Sequence, residues 1–247
     1  MYEWYYIGSY WGPRKETPLE CARRAELFLH MLSRCDPTFT QWYRGGRGAP
    51  RELPGHPVHP DAAEWEQLFS HGRLRADVGK QIIEEFGFAE QVWNSKGADR
   101  TRIELRLGAY SQRAVNTCLL RPPQEGPNRE RILCAPLLTD ILVSMATAWD
   151  PDFAVVSSSE MVELIEKRRG DVPVGWLTYL SHRLGTVPPL PSPVRIEPVG
   201  SLGSLLILSQ ERMTASNPEH VAFIARIRDW LERAGLIRRP AVVADAD

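Results

Sequence analysis

The stretch YYIGSYWGPRKETPLEC, residues 5–21, carries the signals that decide the fold. Its aromatic residues and Ile7 favour a strand, and Gly12-Pro13 ends that strand because proline cannot donate a hydrogen bond to a sheet. Thr17 and Glu20 then have the spacing of a capping box, with Pro18 suited to the first helical position. The stretch therefore predicts a strand followed directly by a helix.

The aromatic residues of this stretch admit two interpretations. Side chains alternate between the two faces of a strand, so Tyr5, Tyr6, Tyr10 and Trp11 cannot all lie on one face. At least some of them must belong to the core, which is the interpretation we favour. The alternative is a platform for stacking bases or sugars, as in a carbohydrate- or nucleic-acid-binding module.

The composition is that of an ordinary folded protein. Of 247 residues, 43% are hydrophobic and 25% are charged, which suits one large domain or two fused halves. Thirty basic against 31 acidic residues give a net charge of -1, which argues against direct nucleic-acid binding. The four cysteines form no C-x-x-C pair, so we predict free thiols and no zinc site.

The sequence also bears on location. The N-terminus lacks the charged and apolar regions of a secretion signal, and no apolar run reaches the roughly 18 residues of a membrane span. We therefore expect a cytoplasmic protein that does not associate with membranes.

Along the chain, apolar periodicity and caps predict an α+β protein. Its strands are mainly antiparallel, in one or more sheets, because residues 102–108 alternate charged and apolar residues as a strand with one wet face does. Amphipathic helices pack on one side. Residues 1–237 form a single domain and residues 238–247 a flexible tail. The predicted helices cover residues 18–35, 61–69, 77–86, 136–149, 157–167 and 218–234, and the predicted strands cover 2–11, 89–93, 102–108, 115–120, 153–156, 195–197 and 204–208.

Two segments are harder to interpret. Residues 45–60, GGRGAPRELPGHPVHP, contain too much glycine and proline for an element of their own. The sequences DPTF (36–39) and DPDF (150–153) each follow a predicted helix. We interpret them as a shared way of stopping a helix, since proline disfavours helical geometry in the residue before it. An ancient duplication, giving two related halves, is the alternative.

No motif predicts catalysis, a metal or a cofactor. The chain has no G-x-S-x-G elbow, and His56 and His59 lack further ligands at metal spacing. Asp99, Glu104 and Arg106 faintly resemble the acidic constellation of a metal-dependent nuclease, although arginine stands where lysine is usual. A small hydrolase or nuclease with a cryptic site is therefore the enzyme alternative.

One acidic segment is a candidate binding surface. Residues 150–166 contain five carboxylates and neither lysine nor arginine. A solvated helix face explains most such runs. The sharper hypothesis is a docking surface for a basic partner, formed by Asp152, Glu160, Glu163 and Glu166.

The order of several aromatic and glycine motifs resembles the immunity protein 52 family. These motifs are YIGSYWGPR (6–14), ECA (20–22), WDPD (149–152) and GWLTYLS (175–181), and the resemblance spans residues 4–235. It implies an α+β antitoxin, encoded beside a polymorphic toxin that is often a restriction-endonuclease-fold nuclease delivered by type VI secretion. The expected partner is that toxin, bound stoichiometrically by a protein that is not an enzyme. The family supplies no site residues, and the oligomeric state is open.

Overall fold

A ten-stranded antiparallel sheet organises the part of the chain that the structure describes, residues 3–45, 55–76, 78–95, 97–165 and 172–237. The structure is a computed structural model. The strand order is β3-β2-β4-β5-β6-β1-β7-β8-β10-β9. The strands are β1 (Tyr5–Trp11), β2 (Trp42–Arg44), β3 (His56–Val58), β4 (Phe88–Trp93), β5 (Arg102–Leu107), β6 (Asn116–Arg121), β7 (Phe153–Ser158), β8 (Leu177–Ser181), β9 (Arg195–Val199) and β10 (Gly203–Ile207).

Six α-helices accompany the sheet within the described residues, and the α+β fold with a mainly antiparallel sheet is confirmed. The helices are α1 (Pro18–Cys35), α2 (Ala62–His71), α3 (Pro127–Ile132), α4 (Ala135–Trp149), α5 (Ser159–Ile165) and α6 (Pro218–Arg233). No helix among the described residues is both long enough and apolar enough to cross a membrane.

The opening stretch forms the strand and helix that its sequence predicts. Strand β1 lies inside the sheet, where Ile7 is opposite Leu120 of β6 and Val156 of β7. Helix α1 begins with the predicted capping box. The Thr17 hydroxyl accepts from the Glu20 amide at 3.2 Å, and the Glu20 carboxylate accepts from the Thr17 amide at 2.7 Å.

Charged residues before α1 and in its first turns bind the end of another helix. Arg14 donates to the carbonyl of Trp149 at 2.8 Å, and Arg24 donates to the carbonyl of Ala148 at 2.9 Å. Both carbonyls belong to the last turn of α4, where cations are favoured by the helix dipole. Glu16 pairs with both arginines and so holds them in place.

Helices α1, α2 and α4 cover one face of the sheet, which we call the helix face. Trp11 of β1 stacks on Trp149 of α4 at 6.1 Å between ring centroids, and Phe28 of α1 meets the same tryptophan at 5.4 Å. Phe69 of α2 packs on Phe88 of β4 at 6.3 Å. These aromatic contacts bury much of the core beneath the centre of the sheet.

Three predicted elements are corrected by the structure. Residues 78–86 form a turn and a single 3₁₀ turn rather than a helix, because Gly79, Lys80 and Gly87 all have positive φ; Asp77 lies outside the described residues. Part of the glycine- and proline-rich segment forms strand β3, which pairs with β2. Helix α5 begins at Ser159 rather than at residue 157, and Ser158 caps it, because its hydroxyl accepts from the Met161 amide.

The two Asp-Pro sequences both end helices, as expected, but with different backbones. Asp36 is extended, with φ of −154°, and its carboxylate accepts from the Thr38 amide at the start of a 3₁₀ turn. Asp150 is left-handed, with φ of 46°, and leads into β7. The relation of two halves and the single domain over residues 1–237 stay predictions, and residues 238–247 lie outside the described residues.

Candidate functional site

The acidic residues predicted to bind a partner do not lie together. Asp152 precedes β7, whereas Glu160 and Glu163 belong to α5 at the opposite end of that strand. Six strand residues span about 20 Å, so strand β7 separates Asp152 from the two glutamates by roughly that distance. Glu166 lies outside the described residues.

Asp152 is engaged within the protein. Its carboxylate accepts from the Gly12 amide at 3.0 Å and pairs with Arg183 at 3.2 Å, while Asp150 pairs with the same arginine at 2.6 Å. Burial alone would lower the pKa of Arg183, but its hydrogen bonds and charge contacts with the two aspartates raise that pKa above the usual value. Much of the local negative charge at this end is therefore neutralised.

The two glutamates of α5 differ in their surroundings. Glu160 accepts a hydrogen bond from the Trp4 amide at 2.9 Å, whereas Glu163 is exposed. Leu164 of α5 is 60% exposed, and Trp4 beside Glu160 is 50% exposed. This end of the molecule therefore presents apolar and acidic groups together.

A larger uncovered surface lies on the sheet itself, opposite the helix face. Alternation along β1 puts Tyr5, Ile7 and Trp11 in the core and carries Tyr6 and Tyr10 to the other side. Cross-strand partners on β4, β5 and β6 extend this side. We call it the open face, and its residues are Trp4, Tyr6, Tyr10, Gln91, Arg102, Glu104, Arg106, Thr117, Leu119 and Arg121.

Gly8 shapes the apolar part of the open face. A Cβ atom at Gly8 would lie 2.6 Å from the Tyr10 hydroxyl oxygen and 2.8 Å from Leu119 Cδ2. The absence of a side chain therefore lets the Tyr10 ring lie across the strand beside Leu119. The same ring stacks on Phe153 at 5.0 Å. Burial raises the pKa of Tyr10 to about 12, against the opposing effect of Arg121.

The charged part of the open face centres on Glu104. Its carboxylate accepts from Arg121 at 3.0 Å and also pairs with Arg102. Arg106 is exposed on the same strand. A depression of about 540 Å³ lies over this region, lined by Ala89, Glu90, Gln91, Glu104, Leu105, Arg106, Thr117 and Leu119.

The same face of the sheet is covered beyond β1. Val155 is opposite Gly8, and Leu180 is opposite Phe153, so both lie on the side of Tyr10. Val155, Leu180 and the equivalent Leu206 of β10 are each 0–1% exposed. The open face is therefore one half of a sheet surface whose other half belongs to the core.

The enzyme candidates have structural partners. Asp99 accepts from Asn128 at 2.5 Å, at the start of α3, and Glu104 is held by two arginines. His59 pairs with Glu64 at 3.0 Å in an exposed position. In the described segments no three His, Cys, Asp or Glu side chains lie close enough to hold a metal ion.

A second cleft, of about 550 Å³, lies beside the start of β1. Glu3, 8% exposed, accepts there from the amides of Ala215 and Ser216, while Arg129 lies over the Tyr5 ring at 5.4 Å. Burial and the neighbouring Glu3 raise the pKa of Tyr5 well above its usual value. These contacts join residues 212–216 to β1 and α3, and we interpret them as structural.

Sequence reasoning missed the open face because its residues come from four separate strands. Two sequence features indicated this face. Residues 102–108 alternate charged and apolar residues, and Tyr6 and Tyr10 are four residues apart and so lie on the same side of β1. Tyrosine, tryptophan and arginine, which the open face carries, are enriched in the surfaces through which proteins bind other proteins.

Comparison with known proteins defines the class further. The family model for immunity protein 52 matches residues 3–240, and the chain belongs to that family. It is therefore an immunity protein. A solved structure, "Pseudomonas aeruginosa T6SS protein PA0821", is similar over 98% of this chain and 92% of its own, at 12% identity and a TM-score of 0.47. No curated protein matches this chain significantly.

Proposed function

We propose that this protein neutralises a cognate secreted toxin by binding it stoichiometrically and occluding its working surface. The family match over residues 3–240 is the observation that carries the proposal. The described residues are in keeping with it, because their candidate catalytic carboxylates Glu104 and Asp99 are engaged by neighbouring arginine and asparagine side chains. The protein acts in the cytoplasm, without a cofactor or a chemical step of its own.

The proposed toxin is a nuclease of the restriction-endonuclease fold, delivered by a type VI secretion system and encoded by an adjacent gene. This part rests on the pairing known for the family. A stable complex should bury on the order of 1,200–2,000 Å² in total, with most of the affinity supplied by a few aromatic or arginine residues.

Co-expression with the adjacent gene product tests the function directly. Growth should be restored, and the two proteins should co-purify in a fixed ratio. A nuclease assay on the purified toxin should then lose activity as the immunity protein is added to one equivalent. Continued toxicity with both proteins soluble would contradict the proposal.

The glutamates of α5 remain a candidate toxin-binding surface drawn from the sequence, separate from Asp152 at the other end of β7. Glu163 offers the clearest test, since it is exposed. Glu163→Lys should weaken toxin binding if this surface faces a basic groove. Unchanged affinity would remove α5 from consideration without affecting the proposal that the protein is an antitoxin.

A further inference from the structure

We propose that the open face of the sheet is the principal toxin-docking surface and that it fits an acidic surface of the toxin. This inference rests on the proposed function, because it names the surface through which the toxin is bound. Its occupant is a folded protein that presents Asp and Glu side chains around an apolar centre.

The first step of the argument is exposure. An antiparallel sheet can have one face in water, but the half-buried Tyr10 and Leu119 form a partly accessible apolar strip in the middle of this one. The strip continues into a face that is fully buried at Val155 and Leu180. A partner that covers Tyr10 and Leu119 would therefore extend an existing core outward.

The second step is residue type. Protein interfaces are enriched in tyrosine, tryptophan and arginine, and these three types supply most of the residues with large effects on affinity. The open face combines Tyr10 and the half-exposed Trp4 with several arginines. Tyr10 is also held in place by Phe153, so binding would cost it little conformational entropy.

The third step is charge. Arg100, Arg102 and Arg121 line one depression of about 140 Å³ at the edge of the open face, and Arg106 lies exposed on it. Glu104 lies among them, and Glu90, which pairs with Arg44, lines the neighbouring depression. Four guanidinium groups against these two carboxylates leave an excess of positive charge on a nearly neutral protein, which complements an acidic partner.

A basic surface that carries aromatic residues is also a feature of proteins that bind single-stranded nucleic acid. Membership of an immunity protein family favours a protein as the occupant. Binding of a nucleic acid is therefore treated as an outcome of the test.

Charge reversal at Arg106 provides the test. The probe is the product of the adjacent toxin gene, inactivated at its catalytic site, and the measurement is its dissociation constant with the full-length protein. We expect Arg106→Glu to raise that constant at least tenfold and Arg106→Lys to retain most of the affinity. The matched control is Arg23→Glu, on the exposed side of α1, which should bind as the original protein does.

The outcomes are distinguishable. If Arg106→Glu binds the toxin as tightly as the original protein and unfolds at the same midpoint, the proposal that the toxin docks on the open face is overturned. The proposed antitoxin function is then unaffected. Loss of binding in Glu163→Lys alone would overturn the docking proposal in favour of the acidic helix. Failure of the original protein to bind the toxin would overturn both proposals. If the original protein binds a single-stranded oligonucleotide and Arg106→Glu abolishes that binding, the occupant of the open face is a nucleic acid and the proposal is overturned.

Discussion

The two halves of one sheet face have opposite environments. On β7, β8 and β10 the residues Val155, Leu180 and Leu206 are buried, whereas on β1, β5 and β6 the same face carries Tyr10, Leu119 and an arginine cluster. Strands β7 and β8 are buried along their whole length, but β5 alternates buried and exposed positions. The difference shows that a single sheet supplies both the core and the surface available to a partner.

The largest effect expected from this difference is on stability. Leu206→Ala should lower the free energy of unfolding by about 3 kcal/mol, because it empties a fully buried site. Leu119→Ala on the open face should cost about 1 kcal/mol, since that side chain is only half-buried. Denaturant unfolding of both variants checks the comparison. Equal losses would show that the open face is packed as tightly as the covered half.

The boundary between the halves is tested at Gly8. Gly8→Ala should destabilise the protein by about 2 kcal/mol, because the new methyl group meets the Tyr10 ring and Leu119. Gly12→Ala is the matched control, as its Cβ would come no closer than 3.9 Å to a neighbour. Thermal unfolding of the two variants should separate them clearly. A neutral Gly8→Ala would mean that Tyr10 moves freely on the open face.

The packing of Tyr10 should also appear in the pH dependence of stability. Folding raises the pKa of this tyrosine from 10.0 to about 12. Its contribution to the free energy of unfolding is therefore complete below pH 10 and is lost as the pH rises towards 12. Tyr10→Phe should therefore reduce the alkaline loss of unfolding free energy. Unfolding at about pH 9 and about pH 11 measures this. An unchanged alkaline loss would place Tyr10 in water.

The smallest effect is expected for the ion pairs of the open face. Glu104→Gln should change the free energy of unfolding by less than about 1 kcal/mol, because its arginine partners are 36% and 39% exposed. The contrasting control is Asp36→Asn. Burial alone would raise the pKa of Asp36, but hydrogen bonds from Thr38 and Arg131 keep that pKa below its usual value. Asp36→Asn should therefore lower the free energy of unfolding more than Glu104→Gln does. A larger loss in Glu104→Gln would assign the cluster a structural role.

Sequence patterns predicted the elements whose signals are local. The capping box of α1, the buried run of β7 and the alternation of β5 are read directly from neighbouring residues. Strand β3 was missed because its pairing with β2 is long-range, and Pro57 is tolerated there only because β3 is an edge strand. The helix predicted at residues 77–86 is absent because the positive φ of Gly79 and Gly87 outweighs the apolar pattern.

The candidate site was harder to predict, for a physical reason. Asp152, Glu160 and Glu163 are close in sequence, but an extended strand separates them in space. The partner of Asp152, Arg183, is 31 residues away, so no local pattern could show that its charge is compensated. The residues of the open face are distant in sequence but close in space, because β1, β4, β5 and β6 bring them together in the sheet.

Side-chain footprinting of the complex tests the central claim most directly. Hydroxyl-radical oxidation would be measured at Tyr10 and Leu119 on the open face, at Leu164, 60% exposed on α5, and at Leu27, 43% exposed on α1, with and without the inactivated toxin. Docking on the open face predicts that oxidation of Tyr10 and Leu119 falls in the complex while that of Leu164 and Leu27 is unchanged. Protection of Leu164 or Leu27 with continued oxidation of Tyr10 and Leu119 would contradict the account.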